Sequence, residues 1–107
     1  MSTARVYYNR NTMKRQYLYR LDEYVVDPPI QYTILRDAKQ NFIATDNDGF
    51  NGFALGETQS AAIEDLKEWF RKLISGYMLA HDKSLSTSGK ALKNKLAARF
   101  KKCTEIT

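Results

Sequence analysis

QSAAIEDLKEWFRKLISGYM, residues 59–78, is the strongest periodic stretch in this 107-residue chain. Ile63, Leu66, Phe70, Leu73, Ile74 and Tyr77 recur at helical spacing on one face, flanked by Ala62 and Trp69. Glu64, Lys67, Glu68, Arg71, Lys72 and Ser75 take the other face. That pattern predicts an amphipathic helix whose apolar stripe must be buried. Thr58 is placed to cap its start, and Gly76 to stop or bend it, because glycine costs roughly 1 kcal/mol in a helix interior.

The nearest cover for that stripe lies just upstream. Ile30, Tyr32 and Ile34 alternate with Gln31 and Thr33, as in a half-buried strand. Arg36 to Asn41 is polar and turns the chain, and Phe42 to Thr45 is a second strand. Asp46-Asn47-Asp48-Gly49 is a turn, since these residues tolerate left-handed backbone. Phe50 to Leu55 is a third strand, with Gly52 a bulge or a point of close approach.

Further upstream two templates compete. Met13, Tyr17, Leu18, Leu21, Tyr24 and Val25 fit one helical face with Thr12 as its cap, while Tyr17, Tyr19 and Leu21 alternate as in a strand. The strand is favoured, with Arg5 to Tyr8 a short partner across an Asn9-Arg10-Asn11 turn. Pro28-Pro29 should end either element, because proline lacks an N–H. Downstream, residues 81–89 read as a linker and Lys90 to Lys102 as a second helix, with Leu92, Leu96, Phe100 and Cys103 as a thin apolar stripe. The expected organisation is a βββα domain over residues 1–80, that linker, and a basic C-terminal helical segment over 90–107. The fold class is α+β, with a three- or four-stranded antiparallel sheet packed by one long helix.

Hydrophobic residues make up 43% of the chain, enough for a core. No run approaches the roughly 18 apolar residues of a membrane span, and residues 1–10 lack the apolar stretch of a signal peptide. The single cysteine, Cys103, fits a reducing compartment, so a cytoplasmic location is expected. The net charge of +5 is unevenly spread. Residues 1–20 carry five bases and no acid, residues 21–66 carry nine acids against Arg36 and Lys39, and residues 83–107 carry seven bases against Glu105. Basic ends around an acidic middle suit either a polyanion-facing surface or mutual attraction within the chain.

The segment Gly56-Glu57-Thr58-Gln59-Ser60-Ala61-Ala62-Ile63-Glu64-Asp65-Leu66-Lys67-Glu68 resembles the strand-to-helix passage of HicB-type antitoxins. The strands before it, Tyr32–Arg36 and Phe42–Thr45, follow the same plan over about residues 31–75. Ala61 stands where that family has glutamate, and its proline-glycine-cysteine link is absent here. The resemblance implies a degenerate ribonuclease-H-like sheet that binds without catalysis, neutralises a small toxin ribonuclease and often contacts operator DNA. Phe53-Ala54-Leu55-Gly56 entering a helix is also similar to the arm-binding domains of phage integrases, which lay a sheet in a DNA groove.

Catalytic and metal patterns are thin. Asp46, Asp48 and Glu57 match positions 1, 3 and 12 of a calcium loop, but Phe50 and Asn51 stand where a ligand and the turn glycine belong. The same acids with Asp37 could imitate a two-metal nuclease site only if they converge. His81 and Cys103 would have to share a pocket to act as a dyad. The expectation is therefore no catalytic residue, no metal and no cofactor. Basic residues are the better candidates for binding. Lys90, Lys93, Lys95, Arg99, Lys101 and Lys102 can neutralise phosphates from the second helix. Arg10, Lys14 and Arg15, interleaved with tyrosines, can do so from the N-terminal part. The plain alternative is a solvated tail helix and a tyrosine-rich sheet.

The expected function is a non-enzymatic regulatory binding protein of HicB-like build that occludes a protein partner, a toxin ribonuclease or a defence nuclease. Contact with DNA or RNA would run through the basic helix, and a homodimer is compatible with this build. The alternatives are an anti-CRISPR-like inhibitor from a phage or mobile element, and an integrase-arm-like sheet that binds DNA.

Overall fold

The computed structural model describes residues 14–103 and is α+β, an antiparallel sheet packed by a long helix and followed by a second helix. Strands β1 (Lys14–Leu21) and β2 (Tyr24–Arg36) form a hairpin. Then come β3 (Phe42–Asp46), β4 (Phe53–Gly56) and α1 (Gln59–Leu73). A π-helical turn (Ile74–Met78), a 3-10 turn (Asp82–Ser84), α2 (Thr87–Arg99) and β5 (Phe100–Lys102) complete the described chain. The strand order is β1-β2-β3-β4, with β5 also on β2.

The stretch from Lys14 is the strand that its alternation favours: Tyr17 and Tyr19 are exposed on either side of buried Leu18. Asp22 supplies the left-handed residue of its two-residue turn, at φ 55°. The Arg5–Tyr8 strand and the Asn9–Asn11 turn lie outside the described residues. Other expectations change. Pro28-Pro29 does not end the element; β2 runs through both, with a cis Asp27–Pro28 bond. The β5 ladder stops at Val26 and the β3 ladder starts at Tyr32, so neither proline has to donate to them. The third strand is shorter than Phe50–Leu55, because the Asp46 turn extends to Gly52. Residues 81–89 are not an open linker. They hold the 3-10 turn and the first turn of α2, where Ser86 accepts a hydrogen bond from the Gly89 N–H at 3.1 Å. The second helix ends at Arg99, and Phe100 to Lys102 is strand.

The chain divides into two compact units, whose boundary cuts β1 after Tyr17, β2 after Ile30 and α1 after Trp69. The first unit contains residues 31–69. Its register sets Ile34 beside Ala44 and Ala44 beside Ala54, all buried. Two alanines in that row leave room for a helix to approach, and Ala62 and Leu66 of α1 are buried with it. A Cβ on Gly52 would stand 3.0 Å from Leu66 Cδ1 and 2.8 Å from Asp46 Oδ1, so the close approach read from the sequence is real. Thr58 caps α1, its hydroxyl accepting from the Ala61 N–H at 3.0 Å.

The second unit contains residues 18–30 and those from 70 onward. Its core joins Leu18, Leu21, Tyr24, Val26 and Ile30 to Phe70, Ile74, Leu96 and Phe100. Phe100 is central, 5.7 Å from the Phe70 ring and edge-on to Tyr24 at 6.3 Å. Offset and edge-on ring pairs of this kind add about 0.5–1.5 kcal/mol beyond burial.

Candidate functional site

Two surfaces stand out, one in each unit, and the charge divides with them. Residues 18–30 and 70–103 carry ten bases and four acids, whereas residues 31–69 of the first unit carry three bases and seven acids.

The first surface follows from the sheet register in the first unit. Side chains alternate across a strand, so the neighbours of the buried Ile34–Ala44–Ala54 row point the other way. They form two rows, Thr33–Thr45–Phe53 and Leu35–Ile43–Leu55. Phe53 and Leu55 are 53% and 50% exposed on the last strand of the order. Polar residues are the norm at outward positions of a half-covered sheet, which makes this apolar band informative. The signal was in the sequence, since Phe53 and Leu55 flank an alanine that faces the core, but the register was needed to set Leu35 and Ile43 beside them. Asp65 on α1 accepts from the Leu55 N–H at 3.2 Å, occupying one edge donor of β4.

The second surface belongs to the basic unit. Tyr24, Met78, Leu79, Ala97, Phe100 and Lys102 line an open groove of about 310 Å³. The π-helical turn builds one wall. Its wide hydrogen bond, from the Leu79 N–H to the Ile74 carbonyl at 2.9 Å, follows Met78 and leaves Leu79 63% exposed. Tyr24 and Lys102 are register partners on β2 and β5. The apolar run Tyr77-Met78-Leu79 past Gly76 was the available sequence signal for this wall.

The six basic residues of the second helical segment do not form one uniform surface. Lys93 donates to the Ala80 carbonyl at 2.6 Å and to Asp82 at 2.8 Å, tying α2 to the 3-10 turn. That hydrogen bond first, and the lysine charge second, hold the Asp82 carboxyl below its usual pKa. Arg99 donates to the Pro28 and Pro29 carbonyls at 2.8 and 2.9 Å. Lys90 and Lys95 are exposed on α2, while Lys101 (half-buried) and Lys102 (exposed) belong to β5. Arg15 is exposed on β1; Arg10 and the Lys14 side chain lie outside the described residues.

The acids are engaged in turns. The Asp46 carboxylate accepts N–H groups from Asp48 at 3.0 Å, Phe50 at 2.9 Å and Gly52. Asp48 accepts from the Gln31 N–H at 2.9 Å, and Asp37 accepts from Lys39 and Asn41, each at 2.9 Å. Among the described residues no group of three His, Cys, Asp or Glu side chains is arranged to hold a metal ion. His81 is exposed before the 3-10 turn, and the Cys103 thiol accepts from the Arg20 guanidinium at 3.0 Å. No helix among the described residues is long and apolar enough to cross a membrane. No protein-family model, curated protein or solved structure matches the chain.

Proposed function

We propose that this chain is a non-enzymatic regulatory binding protein of HicB-like build that acts by covering a protein partner. The observation that carries the reading is the apolar band Leu35–Ile43–Leu55 with Phe53, set within the acid-rich residues 31–69. An apolar band within an acid-rich segment complements a surface that is itself basic. A nuclease has such a surface, because it must attract phosphates. The partner in this reading is a ribonuclease toxin or a defence nuclease, and covering its substrate face is sufficient to inhibit it. The same band speaks against a sheet laid in a DNA groove, as in the integrase-arm reading, since phosphates are met by basic and polar side chains. Contact with nucleic acid is assigned to the basic unit, through Lys90, Lys95, Lys101 and Lys102. The reading places the protein in the cytoplasm.

The test is co-purification of the tagged chain from its own cell. The parent should bring down one nuclease in fixed stoichiometry, and Phe53→Ser with Leu55→Ser should lose it while unfolding at a similar denaturant concentration. Retention of the same nuclease by the folded double variant would remove the sheet face from the account.

A further inference from the structure

The groove of the basic unit plays no part in the sheet-face reading, and its chemistry points to a different ligand. Its floor is aromatic yet closed: Tyr24 and Phe100 are 6% and 3% exposed, with their rings turned edge-on to each other. A nucleobase stacks on an exposed ring face, and this floor offers none. What the groove presents to solvent is aliphatic, chiefly Leu79 and the Met78 side chain beside it. Methionine adapts its shape to different partners and is common at surfaces that take varied apolar side chains. A volume of about 310 Å³ lies at the lower end for small-molecule pockets, and the groove is open along its length. Lys102 is the charged residue among its lining, with no acid among them. Residues 18–30 and 70–103 around it carry ten bases against four acids, and two of those acids are paired, Asp22 with Arg71 at 2.9 Å and Asp82 with Lys93 at 2.8 Å.

We propose that this groove takes an acidic peptide segment of a protein partner, with an aliphatic side chain seated against Met78 and Leu79 and a neighbouring carboxylate on the Lys102 ammonium. The apolar contact supplies an anchor, and the basic surround supplies attraction and orientation. The π-helical turn thus becomes a recognition element, in keeping with the frequent placement of π-turns at functional sites.

The probe is a library of random phage-displayed peptides selected on the full chain. Enriched peptides should share a leucine, isoleucine or methionine next to aspartate or glutamate. A synthetic copy of the most enriched peptide should shift the methyl resonances of Met78, Leu79 and Ala97 in the labelled protein. It should leave those of Leu55, which report on the sheet face, in place. Leu79→Ser and Lys102→Ala, both at exposed positions, should each weaken binding by about tenfold. A short oligothymidylate and decanoate, tested in parallel, should shift the groove methyls less than the peptide does. The proposal is overturned if selection yields no shared acidic-aliphatic pattern, or if the peptide shifts Leu55 in place of the groove. It is equally overturned if either comparison ligand shifts the groove methyls more than the peptide, or if both variants bind as the parent does. Because Leu55 and the groove are read separately, failure here leaves the sheet-face reading standing.

Discussion

Arg99 shows how much a single side chain's role depends on contacts remote in sequence. Its guanidinium reaches the carbonyls of Pro28 and Pro29, residues that lack an N–H to donate. A planar fork meets two acceptors at once, which one ammonium does not. Hydrogen bonds from charged donors contribute about 1.5–3 kcal/mol each before allowance for exposure. Arg99 is half-buried, so Arg99→Ala is expected to cost about 1–3 kcal/mol in chemical denaturation. Arg99→Lys should recover less than half of that, and Lys90→Ala should stay within about 0.5 kcal/mol. Equal midpoints for Arg99→Ala and Lys90→Ala would mean that the contact contributes nothing. In the sequence Arg99 groups with the phosphate-binding lysines, because charge is visible locally and a partner some seventy residues away is not. Gly52, by contrast, was legible, since a glycine within the apparent Phe50–Leu55 strand signals close approach.

Among the elements, legibility followed periodicity. Helix α1 was readable because its buried residues Ala62, Leu66 and Phe70, continued by Ile74 of the π-helical turn, recur every four positions. Strands β3 and β4 were readable from alternation and from the turn between them. The misread elements are those whose state is set by tertiary contacts. Phe100 continues the spacing of Leu92 and Leu96, so it reads as helix, yet it is drawn into β5 by pairing with Val26 and by the Phe70 and Tyr24 rings. The prolines of β2 sit where its ladders to β3 and β5 leave a gap, which no local pattern shows. Phe70 is fully buried in α1 and touches that same Phe100. Phe70→Ala should therefore cost roughly 3–5 kcal/mol, the range for emptying a buried aromatic site. Glu68→Ala, on the exposed face, should cost about 0.5 kcal/mol or less. The check is a pair of denaturant titrations, and coincident curves would mean that the buried face has been misassigned.

For the whole molecule, the excess of bases lies in the second unit and each unit carries an apolar surface of its own, and each makes its own demand. Any affinity of the basic unit for duplex DNA should fall with salt, at about 0.9 in log–log slope per phosphate contact. Three or four contacts give a slope near −3, to be read by fluorescence anisotropy, and Lys90→Ala, Lys95→Ala and Lys101→Ala together should flatten it. These positions are preferable to Lys93 and Arg99, whose loss would disturb the fold. A parent that ignores DNA at low salt would limit the account to protein partners. The uneven charge was legible from the sequence, but its division between two units was not, because residues 18–30 join the C-terminal part only through folding. The most direct measurement of the central claim is site-specific photocrosslinking in the protein's own cell, with a photoreactive phenylalanine analogue at Phe53 or, as control, at the exposed Glu64 of α1. The account predicts one dominant crosslinked protein at position 53, a nuclease with a basic substrate face, and little at position 64. No crosslink at 53, or the same products in the same yield at both positions, would contradict it.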